Sequence, residues 1–225
     1  MNITIVTPHR NAERYLNKYM KSIDALRLAL DERGDRLFVL IGIGDSTDRT
    51  NKILSVWALP LPWVQFVDCT HGGPVYGSIV DAGRFRHLAQ VMNTLWSELP
   101  DDADVVVVLD GEIVFDTGTM LALIDHTSIH PAIAPMVWTK HPNRFYDTWG
   151  FRRNGERFTE YPPHHPGIGN ELLQIDSAGS CVAMQGNVAR SVFWPDDDVI
   201  VGVCRQINDE GGSIWLDPSL SVEHL

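Results

Sequence analysis

The apolar positions along the chain fall into two alternating periods. Short, continuous apolar runs at 2–7, 37–43, 64–69 and 105–109 read as strands buried on both faces. Between them the apolar residues recur at helical spacing. Residues 12–33 carry Tyr15, Leu16, Tyr19, Met20, Ile23, Leu26 and Leu30 on one stripe, and Gly34 closes that helix. A second helix is predicted from near Arg49 and a third over 83–98. The first half therefore reads β-α-β-α-β-α-β. That order implies an α/β fold, a mainly parallel sheet with helices on both faces. Ligands of such sheets bind beyond the carboxyl ends of the strands. Three polar turns fall there: Pro8-His9-Arg10-Asn11, Gly44-Asp45-Ser46-Thr47-Asp48 and Asp110-Gly111-Glu112.

The second half is patterned differently. A helix is predicted over 117–126 and a strand over 132–137. Residues 140–170 show no clear period and are rich in aromatics, His, Pro and Gly. A loop of that length is usually functional, and its aromatics favour an ordered, substrate-facing one. A strand over 175–184, a helix over 200–210 and a strand starting at 213 complete the pattern. There is no internal repeat, low-complexity tract or linker. The reading is one domain over 1–225 with two functional halves, 1–115 and 116–225.

Composition narrows the class. With 44% hydrophobic and 21% charged residues, the 225-residue chain can form a sizeable core. Its formal net charge of −11 argues against binding nucleic acid or anionic membrane through bulk charge. Cys69, Cys181 and Cys204 form neither a zinc pattern nor a disulfide framework, which favours a reducing compartment. The opening residues lack a signal-peptide core and no apolar run has membrane-span length. The expectation is a cytoplasmic protein.

The chemistry begins at the run VVVVLDGEIVF, residues 105–115. Two carboxylates at i and i+2, placed where a buried strand ends, repel each other unless a cation sits between them. A hard divalent metal carrying a phosphate ester does this; the alternative is a solvated acidic turn. Arg84 and Arg86 stand at the start of a helix, where a cation opposes the dipole; a bound phosphate is one reason for them to be there, and surface solvation is the alternative. Tyr146-Asp147-Thr148-Trp149-Gly150-Phe151-Arg152 pairs a carboxylate with aromatics, a combination that binds sugars. Asp147 and Trp149 would act on an acceptor, with Arg152 holding Asp147; the alternative is an aromatic flap with a buried Asp–Arg pair. Ser177-Ala178-Gly179-Ser180 would lie beneath that pocket.

Three segments in order resemble the motifs of family-2-like glycosyltransferases: TPHRNAERYL resembles their P-x-x-N-E-E-x-Y-L opening, GDSTDRT their D-G-S-T-D-G-T turn, and LDGEIVF their D-x-D motif. The later segments APMVWTKHPNRFYDTWGFR and WLDPSLSVEHL resemble a subgroup related to fungal capsule and cell-wall mannosyltransferases. The resemblance covers nearly the whole chain. It implies the GT-A fold, a nucleotide-diphosphate sugar as donor, and a Mn²⁺ or Mg²⁺ ion. It implies Glu112 as the direct metal ligand, Asp110 at the ribose or bound through water, and His224 as a third ligand, a set that suits Mn²⁺. Thr7, Pro8, Arg10 and Asn11 would cradle the nucleoside, Asn11 alternatively capping the first helix. Asp45 would contact base or ribose.

The sequence also departs from that family. Ile43 and Gly44 stand where an Asp contacts the nucleobase, and Asp45 stands where the family has Gly. Val199 and Ile200 occupy the positions of the Glu-Asp pair whose Asp is the base of inverting enzymes. Sugar transfer to a hydroxyl, with retention favoured, is the implied activity. The acceptor class stays open among glycan, lipid-linked sugar, protein and modified nucleobase. The alternatives are a noncatalytic nucleotide- or carbohydrate-binding module and a sugar-nucleotidyltransferase. The latter normally has a Gly-rich loop after its first strand, which TPHRNAER lacks.

Overall fold

The computed structural model describes residues 1–76, 81–141 and 143–225. The first half alternates β1 (Asn2–Pro8), α1 (Glu13–Glu32), β2 (Arg36–Ile43), α2 (Thr50–Ala58), β3 (Val64–Asp68), α3 (Ala82–Trp96) and β4 (Val105–Leu109). These are the elements the apolar periods predict, within one or two residues at most ends. The two-residue β5 (Ile113–Val114), α4 (Thr117–His126) and β6 (Ala132–Thr139) follow. A short hairpin, β7 (Arg152–Arg153) with β8 (Glu156–Arg157), precedes β9 (Leu173–Ile175), β10 (Cys181–Gln185), α5 (Gly186–Ser191), α6 (Val199–Asp209) and β11 (Ile214–His224).

Nine strands form one sheet in the order β3-β2-β1-β4-β10-β6-β11-β5, with β9 also paired to β11. Pairing is parallel from β3 to β4. Beyond β4 the sheet is mixed: β10 runs antiparallel to both β4 and β6, and β11 is parallel to β6. Right-handed crossovers send α1 and α2 to one face and α3 to the other, because strand order reverses after β3. Accordingly α1 packs on α2 and α4, and α3 packs on β1, β2 and α6. The predicted stripe of α1 is buried except Met20, which is half-buried. No helix among the described residues is long and apolar enough to cross a membrane.

One expectation is corrected. The strand predicted over 175–184 is two strands, β9 and β10, separated by a turn in which Ser180 has a φ of 56°. Its apolar pattern is continuous, but the pieces pair with different neighbours: β9 with β11, and β10 with β4 and β6. The last strand, predicted to start at 213, begins at Ile214. It runs on to His224 through a register shift against β6 between Asp217 and Ser221, which accommodates a proline that has no N–H to donate. The helix α5 has no amphipathic signature because it is six residues long. The described residues of the 140–170 segment pack around a small aromatic cluster. Phe145, Phe151 and Phe158 are buried and pack edge-on or tilted at 5.0 to 5.7 Å.

Candidate active site

The turns after β1 and β2 are tied to each other by side-chain hydrogen bonds. Asn11, at a φ of 53°, accepts the Thr47 N–H through Oδ1 at 2.7 Å, and the Asn11 N–H donates to Ser46 Oγ. Asp48 accepts from the Glu13 N–H of α1 and from the Thr50 N–H of α2 at 3.1 and 2.9 Å. Glu13 in return accepts the Arg49 N–H at 2.9 Å. Asp48 thus caps both helix starts, α2 from its own turn and α1 from across the gap, while Glu13 of α1 reaches back to the residue ahead of α2. Asn11 does not cap α1; it locks the two turns together. Thr7 is buried beneath them, its hydroxyl 3.2 Å from His9 Nε2.

Arg10 and Asp45 organise the loop after β3. Arg10 donates to the Asp45, Gly73 and Pro74 carbonyls. The Asp45 carboxylate accepts the backbone N–H groups of His71 and Gly72 at 3.0 and 3.2 Å. Those bonds, the His71 N–H first, hold its pKa below the usual carboxylate value. His71 stacks on His87 with ring centroids 4.3 Å apart, and Tyr76 bonds His87 Nδ1 at 2.5 Å. Sequence reasoning passed over this His-His-Tyr group, because its members come from a loop and from α3 and share no spacing.

The Asp-Gly-Glu turn sits against His9. A Cβ on Gly111 would lie 2.5 Å from His9 Nδ1, so only glycine fits there. His9 is buried, and burial pushes its pKa down to about 3. Glu112 Oε2 lies 3.0 Å from His224 Nε2. The His224 ring stacks on Tyr146 at 3.5 Å and 15°, β11 pairs with β5 at His224, and the Leu225 N–H donates to the Glu112 carbonyl. The three contacts fix His224 beside Glu112. Tyr146 is the neighbour of Asp147, and sequence reasoning gave it no part in this.

Asp147 is 9% exposed. Its carboxylate accepts from the Gly150 N–H at 2.7 Å and from the Ser180 hydroxyl at 2.9 Å. A Cβ on Gly179 would meet Asp147 Oδ2 at 2.4 Å, so the Ser-Ala-Gly-Ser segment does lie against this carboxylate. The expected Arg152–Asp147 pairing is replaced: the Arg152 guanidinium lies over the Trp149 ring at 5.3 Å. Arg157 lies over the same ring at 4.1 Å, and Phe85 stacks on it at 5.5 Å. Protein groups therefore already occupy the faces of Trp149, and its stacking on a sugar, expected from sequence, is displaced by them. Asp110 is enclosed nearby. Burial first, and then the Asp147 charge, push its pKa up to about 6, against the Ser180 hydroxyl, His224 and Arg84.

Two adjoining cavities connect these groups. A cleft of about 390 Å³ is lined by Pro8, Arg10, Asp45, His71, His87, Arg84, Asp110, Glu112, Tyr146 and His224, among others. A second cavity of about 220 Å³ has Asp147, Trp149 and Ser180 in its wall and shares Arg84, Leu88, Asp110 and Tyr146 with the first. Both combine residues from the two halves of the chain. Arg86 is exposed and lines neither cavity.

The donor set tests the metal expectation. A carboxylate oxygen and an imidazole nitrogen 3.0 Å apart can occupy adjacent positions on one octahedral ion. Glu112 and His224 therefore fit a divalent metal as a pair. Among the described residues no three of His, Cys, Asp and Glu are grouped to hold one, so Asp110 does not join them as a third ligand. Phosphate oxygens and water complete the shell in sites of this kind.

No protein-family model and no curated protein matches the chain. Solved structures match its fold. The mannosyltransferase of Pyrobaculum calidifontis, in complex with GDP-Man and Mn²⁺, superposes with a TM-score of 0.64 at 16% identity, over 98% of this chain and 56% of that one. S. aureus TarS 1–349 in complex with UDP-GlcNAc gives 0.59 at 13%, over 99% and 58%. GalNAc-T7 with UDP, GalNAc and Mn²⁺ gives 0.58 at 12%, over 99% and 43%. The fold is therefore the GT-A fold of these glycosyltransferases. The chain spans little more than half the length of the first two and less than half of the third.

Proposed function

We propose that the chain is a metal-dependent glycosyltransferase that moves a sugar from a nucleoside-diphosphate donor to a hydroxyl acceptor. The observation that carries this is the Glu112–His224 pair, 3.0 Å apart, set in a cleft at the carboxyl ends of the parallel strands with Arg84 in its wall. The nucleotides and Mn²⁺ in the fold's solved neighbours support the reading. Residues 1–115 supply most of the donor cleft, and 116–225 supply Asp147 and His224. The segments around Tyr146 and His224 keep the capsule and cell-wall mannosyltransferase-like subgroup as our reading of its kinship.

Each residue has a task. The cross-capped turns hold Pro8 and Arg10 in fixed positions for the nucleoside. Arg84, in the first turn of α3, presents a cation to the diphosphate, and the helix start adds its positive end. Glu112 and His224 hold the ion, and Tyr146 keeps the imidazole facing Glu112. When bound, the ion offsets the charge that builds on the departing diphosphate. Asp147, fixed by Gly150 and Ser180, accepts a hydrogen bond from the acceptor hydroxyl. With Val199 and Ile200 at the head of α6, the acid pair of the resembled inverting enzymes is missing from that position, and retention is the outcome we favour. The three free cysteines support a reducing, cytoplasmic setting.

Calorimetry of UDP and GDP with and without Mn²⁺ tests the reading. One of them should bind only with the metal, and Glu112→Ala should lose that binding while its unfolding temperature stays near wild type. Metal-independent binding, or full binding by the variant, would sink it.

A further inference from the structure

The second cavity carries information about the acceptor. Its polar side chains are Arg84, Asp110, Tyr146, Asp147, Thr148 and Ser180, and the first three are shared with the donor cleft. Much of the remaining wall is apolar: Phe85 and Met92 from α3, Trp194, and Val199 with Ile200 at the head of α6. The last two stand where the resembled family places acids, so an apolar surface here is a feature of this chain. Trp149, already covered by Phe85 and two guanidinia, is a fixed wall rather than a free platform. A glycan extended onto the Phe85, Met92, Val199 and Ile200 side of the cavity would bury hydroxyls against side chains that cannot partner them, and each loses affinity. An aromatic ring or branched alkyl group would meet the wall without that loss. The volume suffices, since a dry cavity of about 150 Å³ holds benzene, and this one is about 220 Å³.

We infer that the acceptor carries its reactive hydroxyl beside a compact apolar group, aryl or branched alkyl, which fills this cavity while the hydroxyl meets Asp147. The inference rests on the transferase reading above. In the step, the acceptor oxygen bonds to the anomeric carbon as that carbon's bond to the diphosphate oxygen breaks. The bonding pair leaves with the diphosphate, which also takes the hydroxyl proton.

The test is calorimetry on the full chain with Mn²⁺ and saturating UDP or GDP. Benzyl and 4-nitrophenyl glycosides are compared with the methyl glycosides of the same sugars. The aryl forms should bind at least about tenfold more tightly, the gain expected for burying one ring. Ile200→Asp should remove that preference by placing a charge in the wall, and Ile200→Trp should remove it by filling the space. Nucleotide affinity should hold in both. Equal binding of methyl and aryl forms, or a preference that survives both variants, would overturn the inference while nucleotide binding leaves the transferase reading standing. Failure of the wild type to bind any nucleoside diphosphate with Mn²⁺ overturns the transferase reading first.

Discussion

At the scale of single residues, two buried groups do opposite things to the chain. His9 is sealed between Thr7, Tyr19 and Gly111, with a pKa near 3 because burial disfavours its charged form. Its unfolded pKa is about 6.5, so between those values the unfolded chain binds more protons than the native one. The His9 contribution is complete above the unfolded pKa and is lost as pH falls towards 3, by up to about 1.4 kcal/mol per pH unit. Urea unfolding at pH values from about 4 to 7 should show this slope in wild type and a shallower one in His9→Asn. Asp147 is instead held as an acceptor of hydrogen bonds from Gly150 and Ser180, and it faces the second cavity. Asp147→Asn should reduce sugar transfer strongly while nucleoside diphosphate affinity barely changes. A large loss of nucleotide affinity by calorimetry would place Asp147 in the donor cleft instead.

At the scale of elements, the hydrogen bonds between the starts of α1 and α2 tie two loops into one unit beside the cleft. The Asp48 carboxylate accepts from N–H groups at both helix starts, those of Glu13 and Thr50. Asp48→Ala should therefore act on both, with a loss of about 1 to 2 kcal/mol, the upper range for a cap. The variant should also weaken nucleotide binding, because Arg10 and Asn11 lie in the unit that loosens. Denaturant unfolding and calorimetry check the two effects separately. An unchanged nucleotide affinity would show that β1, β2 and the loop contacts of Arg10 suffice to hold the turn.

At the scale of the whole molecule, donor and metal should act as ligands of the native state alone. A nucleoside diphosphate at about 100 times its Kd adds roughly 2.7 kcal/mol to stability. For a chain of this size that is a rise in Tm of about 5 to 10 °C. The rise should need Mn²⁺ and vanish with a chelator, as thermal-shift curves with UDP, GDP and EDTA would show. A rise that persists in EDTA would remove Glu112 and His224 from donor binding. The second cavity lies between α3, the 140–170 segment and the head of α6, so its occupancy reports on how all three pack.

The sequence by itself determined the alternation of the first half, because short apolar runs and a helical stripe are local patterns that chain geometry converts directly into strands and helices. It also placed the three polar turns at the carboxyl ends of β1, β2 and β4, since a parallel sheet leaves no other place for them. It could point to Asp147, Trp149 and Arg152 as a group, because they are neighbours in the chain. Only the tertiary structure decided how they are used. Arg152 turned to Trp149 because Gly150 and Ser180 already satisfied Asp147. His224 met Glu112 because the register shift in β11 and its pairing with β5 brought residues more than a hundred positions apart within 3.0 Å. The break between β9 and β10 was invisible for the same reason: its apolar run is continuous, and what divides it is the choice of strand partners far away in sequence. Contacts of that kind depend on long-range packing, and no local pattern of residues records them.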